Sequence, residues 1–150
     1  MNFFDGLYHN KVFVISFVSW FSAQLLKVVL TLFTQKKLDF SRFVGSGGMP
    51  SSHSSFVTGL ASSMGILQGF DSPEFALALV FALIVMYDAA GVRMAVGKQA
   101  RILNAIVDDF QKHRKHAFNE KRLKELVGHT PVEVFAGAIL GIVIANILSK

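Results

Sequence analysis

The chain has 150 residues, 52% of them apolar, no cysteine and a formal charge of +5. That length allows one core, so a single domain over 1–150 is expected, and a clearly positive mean hydropathy argues against a soluble one. Without cysteine there is neither a disulfide framework nor a cysteine zinc site. The basic residues concentrate between 98 and 124, among apolar blocks, so a bilayer with anionic headgroups is the expected partner and nucleic acid is not. Phe occurs fifteen times against one Trp and two Tyr, which suits a lipid-facing surface.

Four apolar blocks follow in chain order. The first, from about residue 11 to 33, is interrupted only by Ser, Gln24 and Lys27, and is long enough for a hydrocarbon core of roughly 30 Å. The start of the chain carries no basic leader, and this block is too long for a signal peptide's apolar region, so no cleavable signal is expected. The second, 54–70, is rich in Gly, Ala and Ser. Its pairs Gly59/Ser63, Ala61/Gly65 and Gly65/Gly69 let helices approach closely. An Asp71-Ser72-Pro73 turn leads to the third block, 74–96, which is strongly apolar before it meets Asp88 and Arg93. The fourth, 132–148, repeats the small-residue spacing in Gly137 and Gly141. The expected fold is therefore an all-α polytopic membrane bundle of about four transmembrane helices. Ile102, Ala105, Ile106 and Phe110 recur at helical spacing and predict a further amphipathic helix at the interface.

Four spans put both termini and the Asp71 turn on one side. The loops 35–49 and 97–128 share the other side with most of the Lys and Arg, against only Lys11 and Lys150 opposite, so they are expected to be cytoplasmic. An integral protein of the bacterial plasma membrane is the expected setting.

Polar groups within spans are functional candidates because they are costly there. Lys27 is one, with snorkelling as its plain alternative. Asp88 and Arg93 stand five residues apart, a spacing that does not ensure a shared α-helical face, and a charge pair that merely fixes packing is the alternative. In SGGMPSSHSS (46–55), two glycines and Pro50 shape a loop that feeds a helix start, where Ser51 or Ser52 can cap and free N–H groups favour an anion. His53 lies just inside that start. In GHTPVE (128–133), Thr130, Pro131 and Glu133 read as a capping box with Pro at the first helical position. That structural account leaves His129 unexplained. A neutral imidazole attacks phosphorus competently when a carboxylate orients it, and Glu133 is the nearest in sequence. Capping and orienting then compete for one side chain.

The set is chemically coherent for phosphoryl transfer. Lys27, Arg42 and Arg93 neutralise phosphate oxygens, His129 attacks, and His53 protonates the leaving oxygen. No metal or other cofactor is required; a divalent-metal site from the two histidines, Asp88 and Glu133 is a weaker alternative without a tight ligand spacing.

Pro50-Ser51-Ser52-His53 resembles the PSGH signature of the type 2 phosphatidic acid phosphatase and vanadium haloperoxidase superfamily, and His129 with Glu133 resembles its HxxxD signature. More closely, GGMPSSHSS, Asp88-x-x-Gly91-Val92-Arg93, Gly97-x-Gln99-Ala100 and GHTPVEVFAGAILG together resemble the divergent PAP2 family (DUF212) over nearly the whole chain. The resemblance implies a helical membrane fold and a metal-independent, acid phosphatase-type site. His129 would form the phosphohistidine, Glu133 would orient it and His53 would be the general acid. Ser51 and Ser52 would bind phosphate, with Asp88 and Gln99 in support. Lys27 matches the lysine of the first signature, but no Arg-Pro follows it, and Arg42 is the nearest substitute. Leu123 stands where the third signature has its arginine; Arg93 is the expected replacement.

The leading expectation is a membrane phosphatase for a lipid phosphate or pyrophosphate. The alternatives are a non-catalytic protein that binds phosphorylated lipid headgroups or assembles with partners, and a small transporter needing homo-oligomerisation.

Overall fold

The computed structural model describes residues 2–35, 48–113, 123 and 128–150. A short helix, α1 (Phe3–His9), precedes the long α2 (Lys11–Gln35). Helix α3 (Ser52–Gln68) follows, then α4 (Pro73–Tyr87), a π-helical turn (Asp88–Val92) and α5 (Arg93–His113), which run on without a break. Helix α6 (Pro131–Leu148) closes the bundle, and no strand occurs among the described residues.

The starts of α3, α4 and α6 are written in the sequence. Ser51 caps α3, its hydroxyl accepting from Ser54 N–H at 3.4 Å. Ser72 caps α4 ahead of Pro73 and accepts from Phe75 N–H at 3.2 Å. Thr130 caps α6 ahead of Pro131, and Glu133 reaches back to complete the capping box. Gly69, with φ of +104°, ends α3 in a conformation that side chains rarely adopt.

Three helical stretches are long and apolar enough to cross a membrane: Lys11–Phe33, Pro73–Phe110 and Pro131–Leu148. Helix α3, at 17 residues, lies at the short end of the spanning range. It is the central element, packed against α2, α4 and α6. The chain is thus an integral, all-helical membrane bundle. The amphipathic segment differs from expectation in one respect: it is not a separate helix. Helix α5 prolongs the third span, and 38 residues at 1.5 Å each make a rod of about 57 Å, well beyond a hydrocarbon layer of about 30 Å.

The interior is small and hydroxylated while the exterior is large and apolar. Ser16, Ser19, Ser54, Ser55 and Ser63 are fully buried, whereas Phe17, Phe81, Phe135 and Ile139 face outward. This is the arrangement expected when lipid is the solvent, because packing and interhelical hydrogen bonds then hold helices together. A Cβ on Gly137 or Gly141 would run into the Ser51 or Ser55 carbonyl, so α3 and α6 cross with backbones nearly touching. Thr58 Oγ1 donates across that crossing to Ala138 O at 3.1 Å. Gly59 makes room instead for the Ser19 side chain of α2, whose Oγ a Cβ would meet at 2.5 Å, and Ser55 Oγ donates to Ser19 O at 2.9 Å. Gly65, expected at a helix contact, meets α4 through the ring of Phe75 and also makes room for the ring of Phe70. The α3–α4 contact is conventional, with Val57 and Ala61 against Ala78 and Ala82.

Two long-range bonds fix the ends of the bundle. Lys11 Nζ donates to Ser149 O at 3.3 Å, joining the start of α2 to the end of α6. At the opposite end Ser51 N–H donates to Glu133 O at 3.0 Å, joining the starts of α3 and α6.

Candidate functional site

That second junction is where the candidate residues gather. His53, Val85, Asp88, Ala89, Arg93, Gly128 and His129 line one small cleft. It lies between the first turn of α3, the π-turn and the residues leading into α6. The ring centroids of His53 and His129 are 6.4 Å apart. That is on the order of two hydrogen-bond lengths, so one small anion can touch both. His53 is exposed, whereas His129 is only 4% exposed.

Glu133 settles the competition between capping and orienting. Its Oε2 accepts Thr130 N–H at 3.1 Å and lies 3.1 Å from His129 Nδ1. One carboxylate oxygen therefore serves both. A carboxylate only accepts, so Nδ1 carries the proton and Nε2 keeps the lone pair. Burial lowers the proton affinity of His129 below the ordinary imidazole value. The hydrogen bond and charge of Glu133 pull it back up, while the charges of Lys27 and Arg93 push it further down.

Asp88 and Arg93 form an ion pair, Nε to Oδ2 at 2.8 Å, with both side chains about half exposed. Five residues do not return to the same face of an α-helix, but they do in a π-turn, where Arg93 N–H bonds back to Asp88 O. The pair therefore exists because of the turn.

Lys27 does not line the cleft. It is 2% exposed, hence buried in the bundle rather than snorkelling, and Nζ donates to Gln24 Oε1 at 3.0 Å. Ser51 is committed as a helix cap, its Oγ also accepting from Ser54 Oγ at 3.0 Å. Ser52 opens α3 and is buried. Gln99 is exposed on α5 and is not among the residues lining the cleft. Arg42 lies outside the described residues. Among the described residues no three His, Asp or Glu side chains come together as a metal-ligand set.

Two contributors were not singled out from sequence. The Ala89 carbonyl accepts His129 N–H at 3.1 Å, tying the histidine's backbone to the π-turn. Gly128, with φ of +102°, lets the chain run against Arg93 and Met94, where a Cβ would lie 2.7 Å from Met94 N. Gly128 was recognisable as the first residue of GHTPVE; a backbone carbonyl carries no residue-type signal.

Fold and cleft together define a helical integral membrane protein whose buried, carboxylate-held histidine faces a second histidine and an arginine. The chain belongs to the Divergent PAP2 family, which it matches over residues 8–144. It is similar to the "Uncharacterized membrane protein YuiD" of Bacillus subtilis (strain 168), 41% identical over 136 residues, covering 85% of this chain and 86% of that protein. No solved structure matches it.

Proposed function

We propose that this protein is a membrane phosphatase that hydrolyses a lipid phosphate or pyrophosphate through a phosphohistidine intermediate. The observation that carries this reading is the His129–Glu133 pair, with Nδ1 held at 3.1 Å, beside His53 and Arg93 in one cleft. Membership of a family named for its divergence from PAP2 supports it.

In the proposed reaction His129 Nε2 attacks phosphorus, and the bond from phosphorus to the leaving oxygen breaks. Protonated His53 gives its proton to that oxygen, releasing the lipid alcohol or the shorter phosphate. Water then attacks the phosphohistidine, His53 takes the water's proton, and inorganic phosphate leaves with His129 restored. Glu133 holds the imidazole in the reactive tautomer. Arg93 and the buried charge of Lys27 offset the negative charge on the phosphoryl oxygens. Arg42, Ser51 and Ser52 are assigned to the phosphate-binding surroundings, with Asp88 and Gln99 in support.

The sidedness follows from charge. The sequence segments 35–49 and 97–128, which precede His53 and His129 in the chain, hold most of the Lys and Arg, which supports a cytoplasmic site, and the bacterial relative supports a bacterial plasma membrane.

A second reading is binding of phosphorylated headgroups without turnover, alone or as an assembly partner. It is favoured by Asp88 already occupying Arg93 and by Leu123 standing six residues before His129. Phosphate release from a panel of lipid phosphates and pyrophosphates, with chelator present, separates the two. Release by wild type that is lost in His129→Ala is the expected result. Equal inactivity of both, with lipid phosphate still bound, overturns the enzyme reading; release abolished by chelator overturns its metal independence.

A further inference from the structure

Asp88 poses an electrostatic problem for an anion site. It puts a carboxylate in the same cleft as the two histidines, where it repels a phosphate dianion. A residue with that cost calls for a compensating role, and its contacts show one. Oδ2 holds Arg93 Nε at 2.8 Å, an engagement that leaves the two Nη groups of the guanidinium outside the contact. The partner lies five residues away, within reach only because the helix is widened to a π-turn there. An α-helical course would place Arg93 about 140° around the axis from Asp88, by the 100° step of a 3.6-residue helix.

The same turn touches the nucleophile by another route. Ala89 O receives His129 N–H at 3.1 Å, and Gly128 packs against the backbone of Arg93 and Met94. Further along α5, Asn104 holds the backbone of Leu123 through two bonds, Nδ2 to O at 2.9 Å and N to Oδ1 at 3.1 Å. Leu123, Gly128 and His129 are thus each fastened to the rod, and the π-turn is the point nearest the cleft.

We propose that the π-turn Asp88–Val92 is the site's positioning element, in which Asp88 holds the Arg93 guanidinium against the bound phosphate, a gain that outweighs its own repulsion of the anion. Asp88 is a positioning residue and Arg93 touches the ligand. This rests on the phosphate reading of the cleft but not on turnover.

A double-mutant cycle tests it, with inorganic phosphate as the binding probe and phosphate release from lipid phosphate as the kinetic one. Arg93→Gln is expected to weaken phosphate binding and raise KM by about tenfold or more, the loss of one charge-assisted contact. Asp88→Asn, which keeps size and polarity, is expected to weaken binding several-fold. The double variant is expected to be no weaker than Arg93→Gln alone, because residues that act through one contact are not additive. Full additivity, or a phosphate affinity unchanged in Asp88→Asn, overturns the proposal. So does an affinity loss that tracks a lowered melting temperature in detergent rather than the cycle. If wild type binds phosphate with this pattern but releases none from lipids, the catalytic reading fails and the positioning role stands. If wild type neither binds phosphate nor releases it from lipid phosphate, both fail.

Discussion

Glu133 and His129 share one oxygen: Oε2 lies 3.1 Å from the imidazole Nδ1 while it also closes the capping box of α6. The orientation of the proposed nucleophile is thereby built into the start of a helix, and the two roles can be separated by substitution.

Glu133→Gln keeps a side chain that serves a capping box equally well, so the melting temperature in detergent is expected to change little. Turnover is expected to fall by about 10²–10⁴-fold, the usual loss when catalytic acid–base machinery is disabled. Rates of phosphate release, measured beside thermal unfolding of the same samples, check both halves.

The pH dependence has a definite sign. Burial lowers the proton affinity of His129 below the ordinary value of 6.5, so the unfolded chain binds more protons than the native one between those two points. Stability is therefore expected to rise with pH across that window and to be lost as pH falls from 6.5 through the native value. Imidazole NMR of His129 should give a midpoint below 6.5. Glu133→Gln should move it lower still, since Glu133 raises it. The acid limb of kcat/KM should then lie below 6.5 as far as His129 sets it. A midpoint at or above 6.5 contradicts the prediction.

Gly137→Ala is expected to cost about 1–3 kcal/mol, because its Cβ meets the Ser51 carbonyl and, at 3.0 Å, the Ser54 Cβ. Ser51 also donates to Glu133 O, so phosphate release should fall with stability. Gly91→Ala is the contrast. It meets nothing within 4 Å and is expected to leave the melting temperature unchanged or slightly raised. Equal melting temperatures for the two variants would refute the tight-crossing argument.

A chain with no cysteine suits labelling from defined sides. In oriented membranes, Ser72→Cys is expected to react with an impermeant thiol reagent from outside the cell, and Leu123→Cys only after permeabilisation. The reverse pattern would place the cleft on the external face and remove the cytoplasmic assignment.

The sequence was most legible where chemistry and local geometry coincide. Ser51 and Thr130 stand at the helix starts expected of them, and Gly59, Gly137 and Gly141 stand at close helix contacts as small-residue spacing predicts; Ser72, read only as part of a turn, proves to be a cap as well. His53 and His129, 76 positions apart, do share a cleft. The Asp88–Arg93 pair was less legible, because a 3.6-residue period separates residues that a π-turn aligns. Composition does not announce that change of period. The amphipathic pattern of α5 was visible, but nothing in it said that the helix continues the third span. Lys27 was recognised as a polar intruder, while its burial beside Gln24 follows from tertiary packing that a one-dimensional pattern does not contain.

The crossing of α3 and α6 has a last consequence. Their backbones are in near contact and their starts are bonded together, which makes the wall that carries His53 stiff. The rod that carries Asp88 and Arg93 meets α3 through ordinary side-chain packing, but it is also tied to His129 through Ala89 O and through the close fit of Gly128 on Arg93 and Met94. His129 is thus a bridge between the two walls. The cleft cannot widen by movement of the rod alone without stretching that bridge, so its aperture and the spacing of the two histidines are mechanically coupled.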